Sequence, residues 1–325
     1  MARKLRMEYP GAIYHVINRG RDGADVFAKA ATRADFIECL FAACQKSGWR
    51  LHAFVLMRNH YHLALEVPQG NLATGMQWMQ ATFSNRLNQV RRGRGHLFQG
   101  RYKAMFVEPG VALGQLCHYI HLNPVRAGEV TVGRLKEFHD SSYWYLWRPA
   151  ERPSCLDVSA ALSEAGNLPD SPVGHRHYEK FLVWQAAAGP AGRNPAYASL
   201  SRGWYLGSRD FRAQLRQEQA RVTKKRPWAS DSKEKAEQAR WNRILTAGRK
   251  ALGHTAGEMT RRPATLPWKL ALMAFLKEST QVTNGWLVQK FGLARAVYVS
   301  KLAANAKPSP EVVRLLAKLR LKCKV

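Results

Sequence analysis

Two apolar segments, Trp49 to Met57 and His60 to Val67, are separated only by Arg58-Asn59, and this spacing constrains the fold more than any other feature of the chain. A connection that short joins antiparallel neighbours, so the stretch predicts a β-hairpin. On its second strand, His60 and His62 are two residues apart and share one face, while Tyr61 turns to the other. Two imidazoles placed in this way can grip one metal ion. Alone, the pair also fits ordinary surface or core histidines.

The flanking sequence extends the hairpin into a domain. Ala12 to Asn18 alternates and is rich in β-formers, which predicts a first strand ahead of the turn-like Arg19-Gly20-Arg21-Asp22-Gly23. Phe36, Ile37, Leu40, Phe41 and Cys44 recur at helical spacing after Thr32, a candidate cap, and the pattern stops at Ser47-Gly48. A second helix opens at Asn71 and carries Met76, Met79, Phe83 and Leu87 on one face. Phe98 to Val107 reads as a fourth strand. After Pro109-Gly110, a third helix buries Leu113, Leu116, Cys117 and Ile120 and ends near Asn123-Pro124. The order βαββαβα predicts an α+β, ferredoxin-like domain: a four-stranded antiparallel sheet covered by helices on one face.

On that third helix, Tyr119 and Asn123 stand at i and i+4, so a phenol and an amide can approach one volume. A packed aromatic and a helix-ending Asn fit the same spacing. Beside a histidine-bound metal, however, the pair acquires a chemistry. A divalent ion on a non-bridging phosphate oxygen withdraws charge from phosphorus, and a phenol helped to ionise can attack it. Two imidazoles and one amide oxygen leave coordination positions open, which suits Mg2+ or Mn2+ rather than a closed structural zinc site.

Charge identifies the class of partner. Against 23 Asp and Glu the chain has 51 Lys and Arg, a formal net of +28, which predicts a polyanion, with nucleic acid first. No apolar run is long enough to span a bilayer and neither end carries a clean basic amphipathic helix, so no membrane is expected. The five cysteines form no CxxC pair, and the charged start lacks a following apolar segment. Both point to a reduced, cytoplasmic protein.

The rest of the chain divides into residues 131–225, read as a helical extension packed on the first domain (1–130), and residues 226–325, a basic linker and a last domain. There Leu266 to Leu276 is one helix, Thr283-Asn284 caps a second through Phe291, and a turn at Gly292-Leu293-Ala294 precedes a third from Arg295 to Leu302. This resembles a helix-turn-helix with Arg295, Tyr298, Ser300 and Lys301 available to a DNA groove. A small helical bundle is the other reading.

The first two thirds of the chain resemble the REP-associated tyrosine transposases of the HUH single-tyrosine superfamily. The likeness rests on Tyr14-His15-Val16-Ile17-Asn18-Arg19-Gly20, Met57-Arg58-Asn59-His60-Tyr61-His62-Leu63, Leu97-Phe98-Gln99-Gly100-Arg101-Tyr102-Lys103 and Tyr119-Ile120-His121-Leu122-Asn123-Pro124-Val125-Arg126. Ser141-Ser142-Tyr143 and Leu206-Gly207-Ser208-Arg209-Asp210-Phe211 add to it. Arg58 departs from the proline common in relatives, which questions the rigidity of the turn. The resemblance implies that His60, His62 and Asn123 are metal ligands and that Tyr119 is the nucleophile. DNA contacts would come from Asn18, Arg19, Phe98, Gln99, Arg101, Lys103 and Arg126, and from Arg295 and Lys301 in the carboxy-terminal domain, which resembles a DnaA-type module. Phe98 and Tyr102 are candidates to stack on bases.

The resulting expectation is an enzyme that cleaves and rejoins single-stranded DNA at hairpin-forming palindromes through a 5′-phosphotyrosine. It would act as a monomer or homodimer, with duplex DNA as a further partner of the last domain. A non-catalytic DNA-binding regulator and an RNA-binding protein are the alternatives.

Overall fold

In the computed structural model, the described residues are 7–92, 95–187, 203–224, 229–261, 263, 265–293, 299 and 309–323. The chain forms two compact units, Met1–Ala220 and Arg221–Val325. The first has strands β1 (Ala12–Arg19), β2 (Arg50–Leu56), β3 (His60–Val67), β4 (Lys103–Val107) and β5 (Tyr205–Leu206). Its helices are α1 (Ala30–Ser47), α2 (Leu72–Arg91), α3 (Val111–Arg126), α4 (Ser142–Leu146), α5 (Ser159–Glu164) and α6 (Pro172–Ala187), followed by α7 (Arg209–Lys224).

The sheet order is β2-β3-β1-β4-β5. Its first four strands pair antiparallel in the ferredoxin-like order, and β5 adds a short parallel edge beside β4 that the sequence pattern does not reveal. Both faces are covered, not one. Tyr61 belongs to one side, in an aromatic cluster with Phe27, Phe36, Phe83 and Phe98 beneath α1 and α2. On the other side α3 packs against β2 and β3. The physical reason is visible in β2, where Leu51, Ala53, Phe54, Val55 and Leu56 are all buried. A strand apolar at every position needs two covers.

Local chemistry sets the element ends with three departures from expectation. Thr32 lies inside the first turn of α1, whose N-cap is Lys29, while Gly48 ends the helix in the left-handed conformation at φ 64°. The fourth strand starts only at Lys103, because Gly100 (φ 89°) turns the chain and Phe98 makes an isolated bridge to Gly20. Helix α3 runs on to Arg126 with Pro124 inside its last turn. Proline removes one N–H there, and the end closes through Gly128 N donating to Val125 O and Glu129 N to Pro124 O. At the hairpin, Arg58 Nε donates to Asp25 Oδ2 at 2.7 Å, which tethers the turn.

The two downstream motifs are structural stitches. Ser141 caps α4 by accepting from Tyr143 N at 3.2 Å, and Ser142 Oγ accepts from Phe54 N at 2.9 Å on edge strand β2. Ser208 caps α7 through Phe211 N and donates its hydroxyl to Glu108 Oε1 at 2.9 Å, just past β4.

The second unit contains α8 (Ala229–Ala251), α9 (Glu258–Arg261), α10 (Pro267–Ser279), α11 (Asn284–Phe291) and α12 (Pro310–Lys322) around Trp241, Leu272, Leu276, Leu287 and Leu319. Thr283 Oγ1 caps α11 by accepting from Trp286 N at 3.2 Å, and Gly292 ends it in the left-handed conformation. The expected third helix, with Arg295, Tyr298, Ser300 and Lys301, lies outside the described residues.

Helix α3 approaches α5 so closely at Gly114 that an added Cβ meets Glu164 Cβ at 2.2 Å and Ala160 O at 3.0 Å. Overpacking of this kind costs about 1–3 kcal/mol. Gly114→Ala is expected to lower the urea midpoint accordingly; an unchanged midpoint would show that the two helices have room to part here.

Candidate active site

The β1–β3 ladder pairs Ile17 with His62 and Arg19 with His60. Residues opposite one another share a face, so His15, Ile17 and Arg19 lie on the same side of the sheet as His60 and His62. Register with β4 adds Lys103, opposite Ile17. Tyr61 points the other way, where its hydroxyl accepts from Gln80 Nε2 at 2.7 Å.

Over the histidine face stands Tyr119. Its ring meets His62 edge-on at 5.6 Å between centroids and His15 at 6.2 Å, while His60 and His62 are 5.1 Å apart. Arg126, one helical turn beyond Asn123, places its guanidinium carbon 5.2 Å from the Tyr119 ring centroid. Asn123 Nδ2 donates to the Tyr119 carbonyl at 3.0 Å, which leaves the amide Oδ1 as the group's acceptor.

His62 is 4% exposed and His15 is fully buried. Burial, reinforced by His15 and His60, holds the His62 pKa well below the ordinary histidine range; burial and the Arg19 charge lower that of His60. Both imidazoles are neutral at pH 7, the form that ligates metals. Among the described residues no group of three His, Cys, Asp or Glu could hold a metal ion. A cation at this pair would take its further donors from groups of another kind, and Asn123, on the helix that carries Tyr119, has an amide oxygen of suitable chemistry. Two neutral nitrogens and one amide oxygen would suit Mg2+ or Mn2+ with positions left open.

The expected DNA-contact residues divide. Arg19, Gln99, Arg101, Lys103 and Arg126 are exposed. Phe98 (6% exposed) and Tyr102 (5%) are buried, so they are core residues and not base-stacking platforms. Asn18 is buried too. It accepts from Arg19 N at 2.9 Å and donates to Gly100 O at 3.4 Å, which ties the end of β1 to the 97–102 loop. Arg295 and Lys301 lie outside the described residues.

The face of α3 turned toward β2 and the later helices carries a polar network that sequence reasoning missed. His118 bonds to Glu164 and, at 2.8 Å, to the Tyr178 hydroxyl; His121 bonds to the same hydroxyl and to Ser142 Oγ, both at 2.8 Å. Burial pushes the His121 pKa down to about 3. His118 and His121 are one helical turn apart, at i and i+3, which is a signal in the sequence, but their partners come from separate elements much later in the chain.

These depressed values give a pH prediction. An unfolded histidine titrates near ~6.5, so below that pH the unfolded chain binds protons that the folded chain refuses, and stability is full above ~6.5 and falls toward acid. Each such histidine contributes a slope of up to ~1.4 kcal/mol per pH unit until its folded pKa is reached. His62→Gln is expected to remove about one proton's share of that slope in urea unfolding between pH ~6.5 and ~5. A mutant slope equal to that of the wild type contradicts a neutral, buried His62.

Residues 8–123 match the family model described as "Transposase IS200 like". No curated protein matches the chain. The solved "Structure of the REP associates tyrosine transposase bound to a REP hairpin" is similar at 14% identity, covering 49% of this chain and 96% of that one with a TM-score of 0.39. The matched segment, 8–123, is the part of the chain that holds His15, His60, His62, Tyr119 and Asn123.

Proposed function

We propose that this chain is an HUH-type endonuclease and strand transferase that cuts single-stranded DNA at hairpin-forming palindromic repeats through a 5′-phosphotyrosine. The observation that carries the reading is Tyr119 standing edge-on to His62 over a face that also presents His60, Arg19 and Lys103. His60, His62 and Asn123 would hold Mg2+ or Mn2+, which when bound stabilises charge on a non-bridging phosphate oxygen. The Tyr119 oxygen forms a bond to phosphorus as the bond to the 3′-oxygen breaks. The phenolic proton passes to solvent or a base, and the leaving oxygen ends as a hydroxyl. Because the phosphotyrosine keeps a phosphodiester's worth of energy, attack by another 3′-hydroxyl reverses the step and rejoins DNA. Exposed Arg19, Arg101, Lys103 and Arg126 neutralise the backbone. With five free cysteines, the chain fits a reducing cytoplasm. Among the described residues no helix is long and apolar enough to cross a membrane.

Tyr119→Phe is expected to abolish the covalent adduct with a labelled hairpin oligonucleotide while hairpin binding stays within a few fold, and Tyr61→Phe to remain active. His60→Ala, His62→Ala and EDTA should each remove Mn2+-dependent cleavage. Adduct formation by the Tyr119→Phe variant, or full turnover in chelator, sinks the assignment. Hairpin binding without any adduct in the wild type would favour a regulator instead.

We further propose that the second unit binds duplex or long hairpin DNA through its phosphates. A chain ending before Arg221 should then show a flatter salt dependence of binding, by roughly 0.7 to 0.9 in log-log slope for each phosphate that is no longer neutralised. Cleavage of a minimal single-stranded site should persist. An unchanged slope would assign this unit to another role.

A further inference from the structure

Each histidine of the pair has already committed one ring nitrogen. His60 Nδ1 lies 2.8 Å from Asn59 Oδ1. The amide's orientation is fixed independently, since its Nδ2 donates to Gly23 O at 3.4 Å, so an oxygen faces the ring. An amide oxygen only accepts; the proton of neutral His60 therefore sits on Nδ1 and its lone pair on Nε2.

The second ring repeats the arrangement with a different partner. His62 Nδ1 lies 2.9 Å from His15 Nε2. The approach is diagonal across the β1–β3 ladder, because His62 is registered with Ile17, two residues along the strand. A bond between two neutral imidazoles has one donor. If His62 donates from Nδ1, its Nε2 is open; if His15 donates, the His62 proton sits on Nε2 and blocks it. Only the first arrangement lets both histidines offer the same nitrogen to one cation, and it spends His15 Nε2, so His15 is not itself a ligand through that atom.

We propose that Asn59 and His15 are paired positioning residues that hold His60 and His62 as Nδ1–H tautomers and so present both Nε2 lone pairs to one divalent cation. This rests on the metal reading above and goes beyond it by assigning roles to two residues that act through the ligands rather than on the ion. Second partners of ligating histidines typically govern metal affinity by 10- to 100-fold.

The test has two arms, both on the full chain. In the wild type with ¹⁵N-labelled histidine and no metal, long-range ¹H–¹⁵N correlation is expected to show protonated Nδ1 and bare Nε2 at both His60 and His62; an Nε2–H at either overturns the proposal whether or not any variant folds. In the second arm, Mn2+ binding is followed by electron paramagnetic resonance. Asn59→Ala and His15→Leu should weaken it about 10- to 100-fold, and Asn59→Asp and His15→Gln, which keep an acceptor, should restore it to within a few fold of wild type. Equal binding by wild type and His15→Leu overturns the positioning role alone. No Mn2+ binding by the wild type overturns the metal reading with it.

Discussion

The pairing of β1 with β3 is the constraint on which the rest depends. Strand side chains alternate, so the ladder that sets Ile17 against His62 also decides that Tyr61 enters the aromatic cluster under α1 and α2. A slip of one residue would exchange these sets, driving two imidazoles into a cage of phenylalanines and turning Tyr61 toward Tyr119. Unpaired polar groups in such surroundings cost several kcal/mol each. Two-sided burial therefore locks the register, and the same burial keeps the histidines neutral.

Helix α3 is fixed to this sheet by means the apolar pattern alone does not supply. Its buried face mixes Leu116, Cys117 and Ile120 with His118 and His121. The imidazoles bond to Glu164, Tyr178 and Ser142, and Ser142 in turn accepts from Phe54 of β2. Each bond in such a chain contributes about 0.5–1.5 kcal/mol, but removal of one partner strands a buried polar atom at about 1–3 kcal/mol. Directional bonds add to packing in fixing the rotation of α3, and Tyr119 sits next to His118 on that helix.

Much of this was legible in the sequence, and what was not shares a cause. The hairpin, the histidine face, the i to i+4 relation of Tyr119 and Asn123, the cap at Thr283 and the stop at Gly48 all follow from local spacing. His15 did not stand out, because its role depends on which strand lies beside β1 and in what register. Phe98 alternates like a strand residue and reads as an exposed aromatic, yet the positive φ at Gly100 turns the segment and sends the ring inward. The second cover of the sheet escaped for the same reason. A continuous apolar strand signals burial on both faces, but local spacing does not say that α3 crosses to the second face, nor that α4 and α5, later in the chain, join it against β2.

That distance has a consequence for how the molecule comes into being. Every residue that meets at the histidine face, from His15 to Arg126, has been synthesised well before Ser142, Glu164 and Tyr178 exist. Until those arrive, His118 and His121 lack these partners, and the bonds they give to the helix bearing Tyr119 are not yet made. A nascent chain therefore carries His15, His60, His62 and Tyr119 before the hydrogen bonds that brace α3 from its far side exist. Completion of the first unit, rather than synthesis of these four residues, is what supplies those bonds to the helix that carries the phenol.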